Sequence, residues 1–258
     1  MKSFFLKFIS LSLVFCLIFS FASCKKEPVA TPEDPEIETT RSTTQPVEIV
    51  EVPTGHDELT KMFNAAIGYT ELYCYRYTKN IDCKASDINV GSLSAASKAV
   101  DAFKSIFGEK NITMNYEYNA SRDAFSANFP SGDFTPEEIL SISAERVEDK
   151  IVITAIFPNE NNPSDDSGTL YRLCPDYQNS EDVKKALVEF NSSASSVSVS
   201  ASDITVEATI NANDSSLEQL VVSYTQRYTL SGVVLSKLEG STVTGTAKTR
   251  VVYSGIGT

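Results

Sequence analysis

The chain has 258 residues, with 22 Lys and Arg against 34 Asp and Glu, a net charge of −12 and a single histidine. So acidic a balance repels nucleic acid and anionic lipid headgroups, and one histidine leaves little for triads or imidazole metal sites. A hydrophobic share of 41%, with 10% aromatics, suffices for a sizeable core and excludes a wholly disordered chain.

Residues 1–23 read as an export signal. Lys2 and Lys7 open it, and the run from Phe8 to Phe21 is apolar apart from Ser10, Ser12, Cys16 and Ser20. Phe21-Ala22-Ser23-Cys24 closes it, followed by Lys25 and Lys26. Small residues before a cysteine fit a peptidase cleft, and the thiol is the group that takes up lipid. The segment resembles the bacterial lipobox, with Phe21 where that pattern usually has leucine. The expectation is cleavage before Cys24, lipidation of that residue with palmitate-type acyl chains, and residence on the extracellular side of the cell membrane. Loss of Lys2 and Lys7 with the signal moves the balance of the mature chain from −12 to −14.

Residues 24–53 then read as the lipidated cysteine and a tether. Pro28, Pro32, Pro35, Pro46 and Pro53 alternate there with Glu33, Asp34, Glu36 and Glu38. Such a stretch buries too little apolar area to offset its ordering entropy. Residues 54–258 read as one α+β domain.

That domain opens with a helix, since Leu59, Met62, Phe63, Ala66 and Ile67 recur at helical spacing behind Asp57 and Glu58. A strand is expected over 72–77, with Tyr73, Tyr75 and Tyr77 on one face. A second helix is expected over 92–107, its stripe formed by Leu93, Ala96, Val100, Phe103 and Phe107, with Gly108 ending it. The next pattern predicts a hairpin of 112–118 with 124–129, turning through 119–123. Thr135-Pro136-Glu137-Glu138 starts a short helix, and Ile151, Ile153, Ala155 and Phe157 alternate as a strand. Residues 158–169 form a polar loop. Ser180 caps a helix with Val183, Leu187 and Phe190 on one face, and the serine-rich 192–202 is a loop running into an edge strand.

The last third is the clearest. Ile204, Val206, Ala208 and Ile210 alternate with polar residues. After a turn at 213–215, Leu220, Val222, Tyr224, Tyr228 and Leu230 share a face, followed by Val243, Ala247, Val251 and Tyr253. Three long strands of this kind predict an antiparallel meander, wet on one side and covered on the other by the amphipathic helices. Twist predicts that such a sheet curves into a half-barrel.

Several local patterns are familiar together: Phe134-Thr135-Pro136-Glu137-Glu138-Ile139, residues 151–157, residues 158–163, residues 204–210 and Leu217-Glu218-Gln219-Leu220. Over roughly residues 57 to 254 the chain resembles uncharacterised lipoproteins and surface proteins of anaerobic Gram-positive bacteria. The resemblance implies a shape similar to the LolA and LppX lipoprotein carriers, a curved sheet around helices with a hollow for acyl chains.

Chemistry is sparse. His56, at the junction of tether and domain, reads as a solvated residue. Cys74, Cys83 and Cys174 are odd in number, so no complete disulfide framework is available. Pairing of Cys74 with Cys83 is one alternative, and three buried, inert thiols are the other. Asp165 and Asp166 in the 159–168 loop supply oxygens, but their spacing departs from a calcium loop, and a solvated loop is expected. Phosphate-cradling and nucleophile-elbow motifs are missing. Tyr73, Tyr75 and Tyr77 are the weak candidates for a ligand or partner surface, with cross-strand packing as the alternative. The expectation is a non-enzymatic protein without metal or cofactor. Its partners are the membrane, through the anchor, and a lipid or apolar ligand in the sheet–helix hollow, and no nucleic acid. The alternative is a structural or partner-interaction protein with a packed core.

Overall fold

The computed structural model describes residues 51–91, 97–118, 127–162, 168–175, 177–235 and 238–258. The signal segment, Cys24 and the tether up to residue 50 lie outside the described residues, as do the start of the second expected helix (92–96), the expected hairpin turn with residues 124–126, and Asp165 and Asp166.

Helix α1 (His56–Tyr73) forms where Leu59, Phe63, Ala66, Ile67 and Thr70 fall on one buried side. Asp57 and Glu58 stand in its first turn, against the positive end of the helix. It closes at Cys74, whose N–H donates to the Thr70 carbonyl at 2.8 Å. The expected strand over 72–77 is therefore displaced, and β1 (Arg76–Asn89) starts only at Arg76. Glu71 and Leu72 are good helix formers, and the buried Thr70 keeps the last turn seated.

Helix α2 (Ser97–Ile106) follows, and Gly108, at φ 79°, ends its last turn. Strand β2 (Lys110–Glu117) then returns along β1, with Cys83 opposite Lys110 and Arg76 opposite Glu117. Among the described residues β2 pairs with β1, and of the expected partner strand only 127–129 are described, as a turn that leads to the buried Phe129. The helix start at Thr135 gives one 3-10 turn, Pro136–Glu138, in which the Thr135 N–H donates to Glu138 Oε2 at 2.7 Å. It stops there because a further strand begins, β3 (Ser141–Val147), which pairs with β4 (Lys150–Ile156).

The rest is β5 (Glu160–Asn161), α3 (Thr169–Leu173), α4 (Ser180–Glu189), β6 (Ser192–Ser193), β7 (Ser196–Asn211), β8 (Leu217–Leu235) and β9 (Leu238–Gly257). The cap of α4 is Asn179 rather than Ser180; its side-chain oxygen accepts from the N–H groups of Glu181 and Asp182 at 2.8 and 2.9 Å. Val183 and Leu187 are buried as expected, whereas Phe190 is 39% exposed. The serine-rich segment runs mostly inside β7, where 196–202 pair with β8 and, on the other side, only Ser200 and Ala201 pair with the short β5.

All strands join one antiparallel sheet in the order β2-β1-β9-β8-β7-β4-β3, with β5 on β7 and β6 on β8. Ile81, Val251, Val222, Val206 and Ala155 stand opposite one another in a buried line from β1 to β4. The next line, Asp82, Arg250, Ser223, Thr205 and Ile156, faces the other way. Alternation thus fixes the register, because a slip by a single position would turn every strand inside out. The half-barrel is not formed: the sheet is neither closed nor strongly curled, and β2 and β3 remain its two ends. Rolling a sheet takes bulges repeated at matching positions, and here the register shifts fall at scattered places along β1, β7 and β8.

The helices and loops cover one face in two clusters. In the first, Phe63 and Ile67 of α1 meet Phe134, Phe157 and the sheet. Asn64 clamps the loop there, donating to the Phe134 carbonyl at 2.6 Å and accepting from its N–H at 3.2 Å. In the second, Phe103, Ile106 and Phe107 meet Val183 and Leu187 over the opposite half of the long strands.

Candidate functional site

Between the two clusters the buried face is interrupted by polar groups. Gln226 is 2% exposed and stands in β8 between Tyr224 and Tyr228. Its Nε2 donates to the Gln178 carbonyl at 2.6 Å, and its Oε1 accepts from the Tyr228 hydroxyl at 3.0 Å. Gln178 in turn donates from Nε2 to the Ile106 carbonyl at 2.8 Å, stitching the end of α2 to the loop before α4. The Tyr224 hydroxyl lies 3.8 Å from the Cys174 sulfur. Burial pushes the Tyr224 and Tyr228 phenols above their ordinary range. The Cys83 thiol is also raised, burial outweighing its hydrogen bond with Thr249.

A cavity of about 210 Å³ opens beside this belt, with Cys83, Cys174, Tyr224 and Gln226 in its wall and Lys110 and Asp182 also lining it. The belt glutamines and Tyr228 satisfy one another, so the arrangement holds two halves of a core together without aiming a spare donor at the space. A thiol held protonated is also a poor nucleophile. A second recess of about 260 Å³, mostly apolar, lies along α1 between Met62, Ala65, Tyr69 and Ile210. Pockets for drug-sized ligands begin at about 300 Å³, and both recesses fall short of that.

The residues singled out from sequence are not brought together. Tyr73 is on α1 and exposed, with its ring 4.6 Å from that of Tyr69. Tyr75 lies between α1 and β1, exposed, while Tyr77 is buried in β1 and stacks on Tyr116 at 4.7 Å. The three do not share a strand face, because the helix runs on to Tyr73. Cys74 and Cys83 do not pair; they belong to different clusters, and all three described thiols are buried and free. His56 is half-buried rather than solvated, with Nε2 3.0 Å from the Pro136 carbonyl. In the polar loop, Glu160 Oε1 accepts from the N–H groups of Thr169 and Leu170 and so seats α3. Among the described residues no group of three metal-ligating side chains converges.

Among the described residues the opposite face of the sheet carries no helix. It presents Ser223, Thr225, Thr244, Thr246 and Thr205, with four exposed cations among them: Lys84 of β1, Lys248 and Arg250 of β9, and Arg227 of β8. Lys84 stands directly opposite Lys248. Like charges so placed repel, and such pairs are destabilising. Asp82, opposite Arg250, reaches Lys84 instead at 3.2 Å. Arg227, Lys248 and Arg250 have no carboxylate partner among the described residues.

Sequence reasoning passed over both features, although each left a trace. Gln226 is the one amide in the apolar alternation from Leu220 to Leu230, and Lys248 and Arg250 are two apart on the polar side of β9. Comparison of the chain with family models, with curated proteins and with solved structures finds no match.

Proposed function

We propose that this is a non-enzymatic extracellular protein, anchored to the cell membrane by lipid on Cys24, whose domain acts by presenting the bare face of its sheet to a partner. The observation that carries this reading is the asymmetry of the sheet. One face is filled by helices and loops, and the other is broad, hydroxyl-rich and, among the described residues, uncovered. A wet face needs no partner for stability, so its four cations in an acidic chain ask for another explanation.

The competing reading, a carrier of lipid in a sheet–helix hollow, draws on the resemblance to lipoprotein carriers. Recesses of about 210 and 260 Å³ weigh against it.

The test uses the mature chain with Cys24→Ser, so that no acyl group retains it. Ser223→Tyr with Thr225→Tyr puts bulk on the bare face and leaves the core alone. Loss of retention on isolated cell envelopes, with no lipid seen by native mass spectrometry, supports the surface reading. Undiminished retention, or a stoichiometric acyl ligand, overturns it.

A further inference from the structure

We infer that the partner of the bare face is a flexible phosphodiester polymer, lying across β1, β9 and β8 over Lys84, Lys248, Arg250 and Arg227. This rests on the surface-binding reading and gives it a chemistry.

The chain as a whole carries −12, yet four exposed cations gather on three adjacent strands against two acids, Asp82, which bridges Lys84, and Asp87, which accepts from the Thr246 hydroxyl at 2.9 Å. Lys248 and Arg250 are two positions apart on one face of β9, roughly 7 Å, and Lys84 is one strand away, about 5 Å. Three of the four have no carboxylate partner among the described residues, and two lysines are held directly opposite each other. An anion between Lys84 and Lys248 would turn that repulsion into attraction. At physiological salt, charges more than about 8 Å apart are largely screened, so a bound chain feels the patch and not the acidic remainder.

Geometry selects among polyanions. The patch lies in the interior of the sheet, where the backbone is already paired, so an acidic peptide cannot add as a strand. No aromatic ring of β1, β8 or β9 faces outward among the described residues, which removes the stacking platform that bases and neutral sugars use. What remains is point charge with hydroxyl donors beside it, from Thr225 and Ser223. That set suits phosphate oxygens strung along a flexible backbone.

The test measures binding of the mature Cys24→Ser chain to poly(glycerol phosphate) of about twenty units across a salt series. Three or four phosphate contacts predict a log–log salt slope of about −2 to −3. Lys248→Gln with Arg250→Gln should weaken binding about tenfold or more and flatten that slope by about 1.4. Lys61→Gln with Lys98→Gln removes the same charge from the helical side and should leave binding within about twofold, since only the patch makes contacts. Equal loss from both pairs, no binding, or equally tight patch-dependent binding of polyglutamate overturns the inference. If the polymer fails to bind while the tyrosine variants still lose envelope retention, the partner chemistry is wrong and the surface reading stands.

Discussion

The ring of Phe107 lies nearly parallel to that of Tyr228, with centroids 4.5 Å apart and planes 9° apart. Both rest at Gly245, the residue directly opposite Tyr228 on β9. A Cβ at Gly245 would run into the Phe107 ring, so the glycine is there for close approach.

Gly245→Ala should therefore destabilise the domain by about 1–3 kcal/mol, although alanine ordinarily outperforms glycine in a strand. Phe107→Leu in the same chain should recover part of the loss. Urea unfolding of the two singles and the double checks this, and an additive double would show that the contact is not the cause.

The belt makes a second prediction. Gln226→Leu keeps the volume but strands the Gln178 carbonyl and leaves the Tyr228 hydroxyl only its longer bonds, at 3.4 Å, to the Phe107 carbonyl and Gln178 Oε1, at a cost of about 1–3 kcal/mol. Tyr228→Phe added to it should cost less than its own single change, because the hydroxyl has by then lost its shortest bond, the one at 3.0 Å to Gln226. A double-mutant cycle by thermal or urea melting reads the coupling.

Alkali should expose the same groups. Their ordinary values are 9.0 for a thiol and 10.0 for a phenol, and Cys83, Tyr224 and Tyr228 all sit higher when folded. Folding therefore holds their protons. Stability from this source is full below about pH 9 and falls as pH rises, by about 1.4 kcal/mol per unit for each phenol above pH 10. Tyr224→Phe should shallow the decline of the urea midpoint between pH 10 and 11. An unchanged slope would refute the assignment.

Arg172 gives a fourth. Its guanidinium lies 4.2 Å from the centre of the Phe134 ring and bridges Glu138 at 2.5 Å and Asp133 at 3.2 Å. Lysine cannot fork between two carboxylates while stacking on a ring. Arg172→Lys should cost on the order of 1 kcal/mol, measurable as a lowered melting temperature.

The long strands were legible because Ile204 to Ile210 and Leu220 to Leu230 alternate without a break, and burial of one face leaves no second solution. The boundary at Tyr73 was not. Leu72-Tyr73-Cys74-Tyr75-Arg76-Tyr77 fits a strand by period, and only the seating of Thr70 against the core decides for the helix. Strand β3 was hidden because Ser141, Ser143 and Glu145 face water while Ile142 and Ala144 are too few to make a signal. The tyrosine candidates fell with that boundary. The cation cluster depends on pairing between β1 and β9, the first and last strands in chain order, which no local pattern encodes.

Strand β9, made of the last residues described, lies in the middle of the sheet between β1 and β8. The order in which the chain emerges from a ribosome or an export channel is thus not the order in which it can assemble. Strands β1 and β2 have no neighbour on their inner side until Leu238–Gly257 arrives, after every other strand has been made. Until then the growing chain can hold the β1-β2 pair and the β3-β4-β7-β8 part only as separate pieces, the second with a raw hydrogen-bonding edge along β8. Loss of β9 alone would split the sheet into two pieces.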